Sequence, residues 1–212
     1  GATAMAEGLK TNSALQTLYL GSNNVGDAGA TAIAEGLKTN SALQTLYLSS
    51  NNVGAAGATA IAEGLKTNSA LQSLNLEFNN VGDAGATAMA EGLKTNSALQ
   101  SLNLRSNKVG DAGAAALFGS GAPLRVLALN DNGITTVPGT VRGLTRLEEL
   151  YLRNNKLVSV DGAIVALEGT LRKIDLSGNG DTLLQPPAAY ARDYKGTTGD
   201  SSPAALFRYF RE

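Results

Sequence analysis

The chain has 212 residues, 17 Lys plus Arg against 18 Asp plus Glu, and no His, Cys or Trp. Without imidazole or thiol there is no zinc site, disulfide framework, cysteine nucleophile or His-based triad, and a net charge of −1 offers no basic field to nucleic acid or anionic lipid. Neither a long apolar run nor a basic leader followed by an apolar core is present, so no membrane span and no signal peptide are expected. What dominates instead is repetition: residues 1–28, 29–56, 57–84 and 85–112 align almost letter for letter. A fixed period of this size is the signature of a solenoid.

Each unit carries Leu-x-x-Leu-x-Leu-x-x-Asn-x-Val, first as Leu15, Leu18, Leu20, Asn23 and Val25, and again from Leu43, Leu71 and Leu99. Leu18 and Leu20, two apart, share one face of a short strand, which leaves Thr17, Tyr19 and Gly21 on the solvent face. After the strand, Ala30, Ile33, Ala34 and Leu37 form an apolar stripe at helical spacing, with Thr31, Glu35 and Lys38 outward. Asp27 is the expected N-cap of that helix, and Gly29 allows close packing. Three shorter copies follow, Leu124 to Ile134, Leu147 to Leu157 and Leu171 to Asn179, where Thr135-Thr136-Val137-Pro138 replaces the helix start. The helix side is expected to shorten there, with a change of superhelix geometry near Ala114 to Val137. The repeats are expected over 1–180, with four 28-residue units over 1–112 and shorter ones over 113–180, and a capping segment over 181–212. In that segment Ser202 and Pro203 start a helix near 203–211 whose Leu206, Phe207 and Phe210 share a face.

These units resemble leucine-rich repeats, the first four the ribonuclease-inhibitor and NOD-like-receptor type. The resemblance implies an α/β horseshoe with a parallel sheet on the concave face and helices on the convex face. The asparagines Asn23, Asn51, Asn79, Asn107, Asn132, Asn155 and Asn179 are expected to satisfy backbone groups of adjacent coils. The Glu7/Lys10, Glu35/Lys38, Glu63/Lys66 and Glu91/Lys94 pairs are expected on the solvated convex face. Asn179, Leu183, Pro186, Pro187 and Leu206 to Phe210 resemble the ending of the repeats before the GTPase domain of Roco-family proteins, although the Gly196 to Ser202 insert departs from that pattern.

Seven of 28 columns differ among the four near-duplicates. Five of them, headed by Thr17, Tyr19, Gly21, Ser22 and Asn24, fall on the exposed strand face and the turn after it. In strand order one lane reads Tyr19, Tyr47, Asn75, Asn103, Ala128, Tyr151, Asp175 and the next Gly21, Ser49, Glu77, Arg105, Asn130, Arg153, Ser177, with Phe78, Lys108, Asp131, Asn154 and Lys156 alongside. Seven strands about 4.8 Å apart span roughly 30 Å, enough for the ~800 Å² per partner of an ordinary protein interface. Tyr47, Phe78, Arg105, Tyr151 and Arg153 are the expected anchors, although Glu77 and Arg105 can pair with each other and Tyr19 can simply stack on Tyr47. No cofactor and no catalysis are expected, since Ser120 has no His partner and no strand-turn-helix setting. The expected role is binding of a protein or peptide on the concave face within a larger intracellular regulatory protein, of Roco type on the second resemblance. An arm contacting its own chain, or a NOD-like sensor, is the alternative. Gly1 enters a coil midway, as expected of a piece of a longer protein. A cytoplasmic setting is expected from the lack of Cys and of any Asn-x-Ser/Thr among 18 Asn.

Overall fold

The spacing of leucines by two becomes three-residue strands that bury every second side chain. A computed structural model of the chain describes residues 1–179 and 203–211. Numbered in chain order, the strands are β1 (Thr17–Tyr19), β2 (Thr45–Tyr47), β3 (Ser73–Asn75), β4 (Ser101–Asn103), β5 (Val126–Ala128), β6 (Thr136–Val137), β7 (Glu149–Tyr151), β8 (Ser159–Val160) and β9 (Lys173–Asp175). Seven pair in parallel in the order β1-β2-β3-β4-β5-β7-β9. The in-register central leucines Leu46, Leu74, Leu102, Leu127 and Leu150 lie in one core with Ile174.

Behind the sheet stand α1 (Ala2–Thr11), α2 (Gly26–Leu37), α3 (Ala55–Thr67), α4 (Gly82–Leu93) and α5 (Asp111–Phe118). The stripes of α2, α3 and α4 are buried, as at Ala30, Ile33, Ala34 and Leu37, while α1 leaves Met5 exposed, and the outer faces carry the four Lys–Glu pairs at 2.5–2.7 Å. Neighbouring helices approach closely because the contact residues are Ala and Gly. A Cβ on Gly92 would stand 2.5 Å from the Ala62 carbonyl oxygen, and one on Gly64 2.8 Å from that of Ala34. Much of the high glycine content is therefore a helix-packing requirement.

Two ladders of amides tie the coils. Asn51 accepts from the Asn23 and Val25 N–H groups of the preceding coil at 3.0 and 3.1 Å and donates to Leu20 O and Ser49 O at 2.7 and 2.9 Å. Asn79, Asn107, Asn132, Asn155 and Asn179 continue this pattern. The second ladder, between helix and strand, is Asn40, Asn68 and Asn96. Asn40 Nδ2 donates to Leu9 O and Asn12 O at 2.7 and 2.9 Å while Oδ1 accepts from Ala42 and Leu43 N–H. At the end of this row Ser120 is buried, its hydroxyl donating to Leu117 O at 2.7 Å and accepting from Ala122 N–H.

Asp27 does not cap its own helix. α2 has no side-chain cap, and Asp27 Oδ1 instead accepts from Gly54 and Gly57 N–H of the next coil at 2.7 and 2.9 Å. In a solenoid the first turn of the following helix is nearer to this carboxylate than the open end of its own. Asp83 does the same for Gly110 and Gly113, and Asp111 for Thr135 and Thr136. Burial would raise the Asp111 carboxyl, but the Thr135 hydroxyl and the N–H groups of Thr135 and Thr136 hold it below the ordinary carboxylate value. In the second of the four coil-to-coil positions stands Ala55, and the helix entry changes with it. The capped α3 and α5 begin after extended Gly54 and Gly110, whereas α4, like α2, begins through a glycine at positive φ, Gly82 at 60° and Gly26 at 61°.

Beyond α5 the helices give way to 3-10 turns over Gly139–Gly143 and Gly162–Leu167, and a second parallel pair, β6 with β8, forms beside them. A helix, α6 (Ala204–Arg211), buries Leu206 and Phe207 in the same core, and Phe210 lies against Gly162. Arg211 pairs with Glu168. Ser202, Leu183, Pro186, Pro187 and the insert from Gly196 lie outside the described residues.

Candidate functional site

The strand register decides which candidate residues meet. Tyr19 pairs with Tyr47, Asn75 with Asn103 and Tyr151 with Asp175, so the first lane runs unbroken across all seven strands. The second lane and the turn after it follow. In that turn the residue directly after the second lane adopts positive φ in every coil, as Ser22, Ser50, Phe78, Ser106, Asp131, Asn154 and Gly178, and in three coils Asn24, Asn52 or Lys108 does so as well. Of the residues directly after the lane, six are small or polar, types that tolerate the left-handed region; Phe78 is a bulky exception at φ 55° and is half exposed.

Three groups form along the lanes. Tyr19 and Tyr47 stack at 4.5 Å with planes 8° apart, Tyr19 being 71% exposed. In the centre, Arg105 gathers several candidates: its Nε donates to Asp131 Oδ2 at 2.6 Å, Nη1 lies 3.3 Å from Glu77 Oε1, and the guanidinium stands 5.3 Å from the Phe78 ring centre. Asn103 accepts from Arg105 N–H and reaches Glu77, while Asn75 accepts from Glu77 N–H. Burial alone would raise the Asp131 carboxyl. The Asn154 amide and the charges of Arg105 and Arg153 outweigh that effect and hold it low. The third group centres on Tyr151, whose hydroxyl donates to Glu149 and whose ring lies 4.9 Å from Lys173 Nζ. Burial and then the bond to Glu149 raise the Tyr151 phenol.

Arg153 differs from Arg105. It is exposed, its main-chain N–H is held by Asn130, and its guanidinium has no partner among the described residues. With Arg105, Asn130, Asp131, Tyr151, Asn154 and Asp175 it borders a hollow of about 310 Å³. Asp175 is turned toward Ser177, accepting from its N–H and hydroxyl. Lys108 lies two residues beyond Ser106 in the turn after β4, at φ 60°. Asn130 and Asn154, residues of the expected face, belong to these contacts, and so do Glu149 and Lys173, which were not expected there. The period of two along a strand points to Glu149 and Lys173, each two residues before a lane residue, Tyr151 and Asp175. Among the described residues no three acidic groups converge as a metal site, and no helix is long and apolar enough to cross a membrane.

Comparison with known proteins bears on the framework. Two leucine-rich repeat family models match, one over residues 97–157 and 122–180, the other over 11–34, 39–62 and 67–90. No curated protein sequence matches the chain. Among solved structures, leiomodin-1 actin-binding site 2 is similar with a TM-score of 0.53 and 21% identity, over 61% of this chain and 76% of that one. A chain of the octameric complex of latrophilin 3, Unc5D and FLRT2 has a TM-score of 0.54 and 20% identity, over 77% of this chain and 46% of its own length. The tropomodulin C-terminal domain of Caenorhabditis elegans has a TM-score of 0.55 and 13% identity, over 68% and 90%. At these identities the likeness is one of fold. With matches reaching from residue 11 to residue 180 and a seven-stranded parallel sheet backed by helices, the chain is a leucine-rich repeat protein.

Proposed function

We propose that the concave face is a recognition surface for a protein or peptide and that the chain serves as the non-catalytic interaction module of a larger cytoplasmic regulatory protein. Leucine-rich repeat domains generally mediate protein–protein interaction, and two of the similar structures carry names that describe binding or assembly. The observation that carries the assignment to this face is Phe78. A half-exposed aromatic in a left-handed turn, where neighbouring coils place serine, belongs to no buried core, meets the exposed Arg105 guanidinium on one face and carries a backbone cost of order 1–3 kcal/mol. Large apolar groups held on a polar surface in this way mark contact sites. The stacked tyrosines add a second apolar patch on the same face. A Roco-type setting is the context that Asn179 and the Leu206 to Phe210 ending favour. The test is affinity capture from cell lysate with the wild type, with Tyr47→Ala/Phe78→Ser/Arg105→Glu, and with the convex variant Glu35→Lys/Glu63→Lys. The concave variant loses the captured proteins and the convex one keeps them; equal capture by all three overturns the assignment.

A further inference from the structure

Resting on that reading, we infer the chemistry of the partner: an extended peptide laid across the strands, with an apolar side chain against Tyr47 and a carboxylate beside Arg153. The floor between these two points is Asn75, Asn103 and Ala128. Each of the two amides spends its oxygen on the N–H two residues on in its own chain, Glu77 and Arg105 respectively, which fixes the side chain and leaves the NH₂ as the group it can offer. Asn75 Nδ2 has no partner among the described residues, and Asn103 Nδ2 has only a 3.4 Å contact to Glu77. A surface that presents donors suits main-chain carbonyls, which an extended segment supplies in a row and a folded surface does not.

The charged end follows from occupancy. Arg105 is already engaged by Asp131, Glu77 and the Phe78 ring. Asp131 is also held by Asn154, and Asp175 by Ser177. Arg153 is the guanidinium left open at the rim of the hollow, and a fork of N–H donors there matches a carboxylate. From β2 to β7 there are four strand steps, about 19 Å at ~4.8 Å each, and an extended peptide covers that in about six residues at ~3.3 Å per residue. The expected motif is thus an aromatic, leucine or proline followed or preceded by Asp or Glu at a separation of about six.

Selection of phage-displayed random dodecapeptides on the full chain, wild type and Arg153→Glu, tests this. Arg153 makes no hydrogen bond or ion pair through its side chain among the described residues, and its charge only assists Arg105 in holding Asp131 low, so the variant keeps the fold, as its circular dichroism spectrum checks. The wild type enriches the apolar/acidic pair, and Arg153→Glu binds those peptides roughly tenfold more weakly and enriches Lys or Arg in place of the acid. Asn75→Ala weakens the same peptides while leaving the acidic preference in place. Enrichment that Arg153→Glu does not alter, or no enrichment at all, overturns the inference. If the concave triple variant loses lysate capture in that case, the face still binds but its partner is a folded surface; if that variant keeps capture, the concave reading itself falls.

Discussion

The first four coils and the last three solve the same strand in two different ways. From β1 to β9 the buried leucines and the asparagine ladder are continuous. Behind them the early coils carry helices of 8 to 13 residues, and the later ones carry 3-10 turns of five and six residues plus the β6–β8 pair. The strand with its amide is the unit the solenoid requires, and the convex half is a filler that need only bury the back of the sheet. What replaces the helix shows the same logic: Val141 and Ile164 reach the core from single turns.

The largest effect that would break this comparison is loss of a ladder amide. Asn107 is fully buried, its NH₂ donates to Leu76 O and Arg105 O, and its oxygen accepts from Val81 N–H. Asn107→Ala is expected to lower stability by about 2–4 kcal/mol, since each orphaned group costs roughly 1–3 kcal/mol. Asn132→Ala, at a half-buried rung, should cost less. Urea unfolding followed by circular dichroism measures both; equal costs would mean that the rungs are insensitive to burial.

Next comes the close helix approach that is confined to the early coils. Gly92→Ala would push against the Ala62 carbonyl and should cost about 1–3 kcal/mol. Gly143→Ala, whose nearest atom is the Phe118 carbonyl oxygen at 3.1 Å, should cost less by the same measurement.

The coil-to-coil carboxylates allow a change in the other direction. Ala55→Asp supplies to α4 the cap that Asp27 supplies to α3 and is expected to stabilise by about 0.5–1 kcal/mol, the ordinary worth of an N-cap. Loss of stability instead would show that the positive-φ entry at Gly82 is preferred for its own sake.

A smaller effect lies in pH at the junction of the two regions. Asp111 has a lowered value in the fold, so it binds its proton less readily folded than unfolded. Its contribution is complete above the unfolded value of 3.8 and is lost as pH falls through the lower folded value. The difference in urea midpoint between wild type and Asp111→Asn should therefore be constant near neutrality and shrink below pH 3.8. A difference that does not change with pH would remove the carboxylate from the junction.

Much of this was legible in the chain. Alternation gave the buried and exposed faces of each strand, and the exact copies gave the register, because residues 28 apart in a solenoid stand side by side. Asp27 was misplaced for the same reason that Asn40, Asn68 and Asn96 were passed over. Capping and turn rules are written for neighbours along the chain, whereas these side chains act on the coil before or after their own. The contacts of Arg105 were half visible: Glu77 is one copy away in its own column, but Asp131 lies in a neighbouring column of a shorter repeat. Whether Arg105 or Arg153 is the open cation depends on side-chain geometry that no period encodes.

The most direct measurement places a photo-crosslinking phenylalanine analogue at position 78 or, on the convex helix α3, at position 63, and exposes each protein to cell lysate under light. Covalent adducts from position 78 with none from position 63 are the predicted result. Adducts from position 63 alone, or equally from both, would contradict recognition through the concave face.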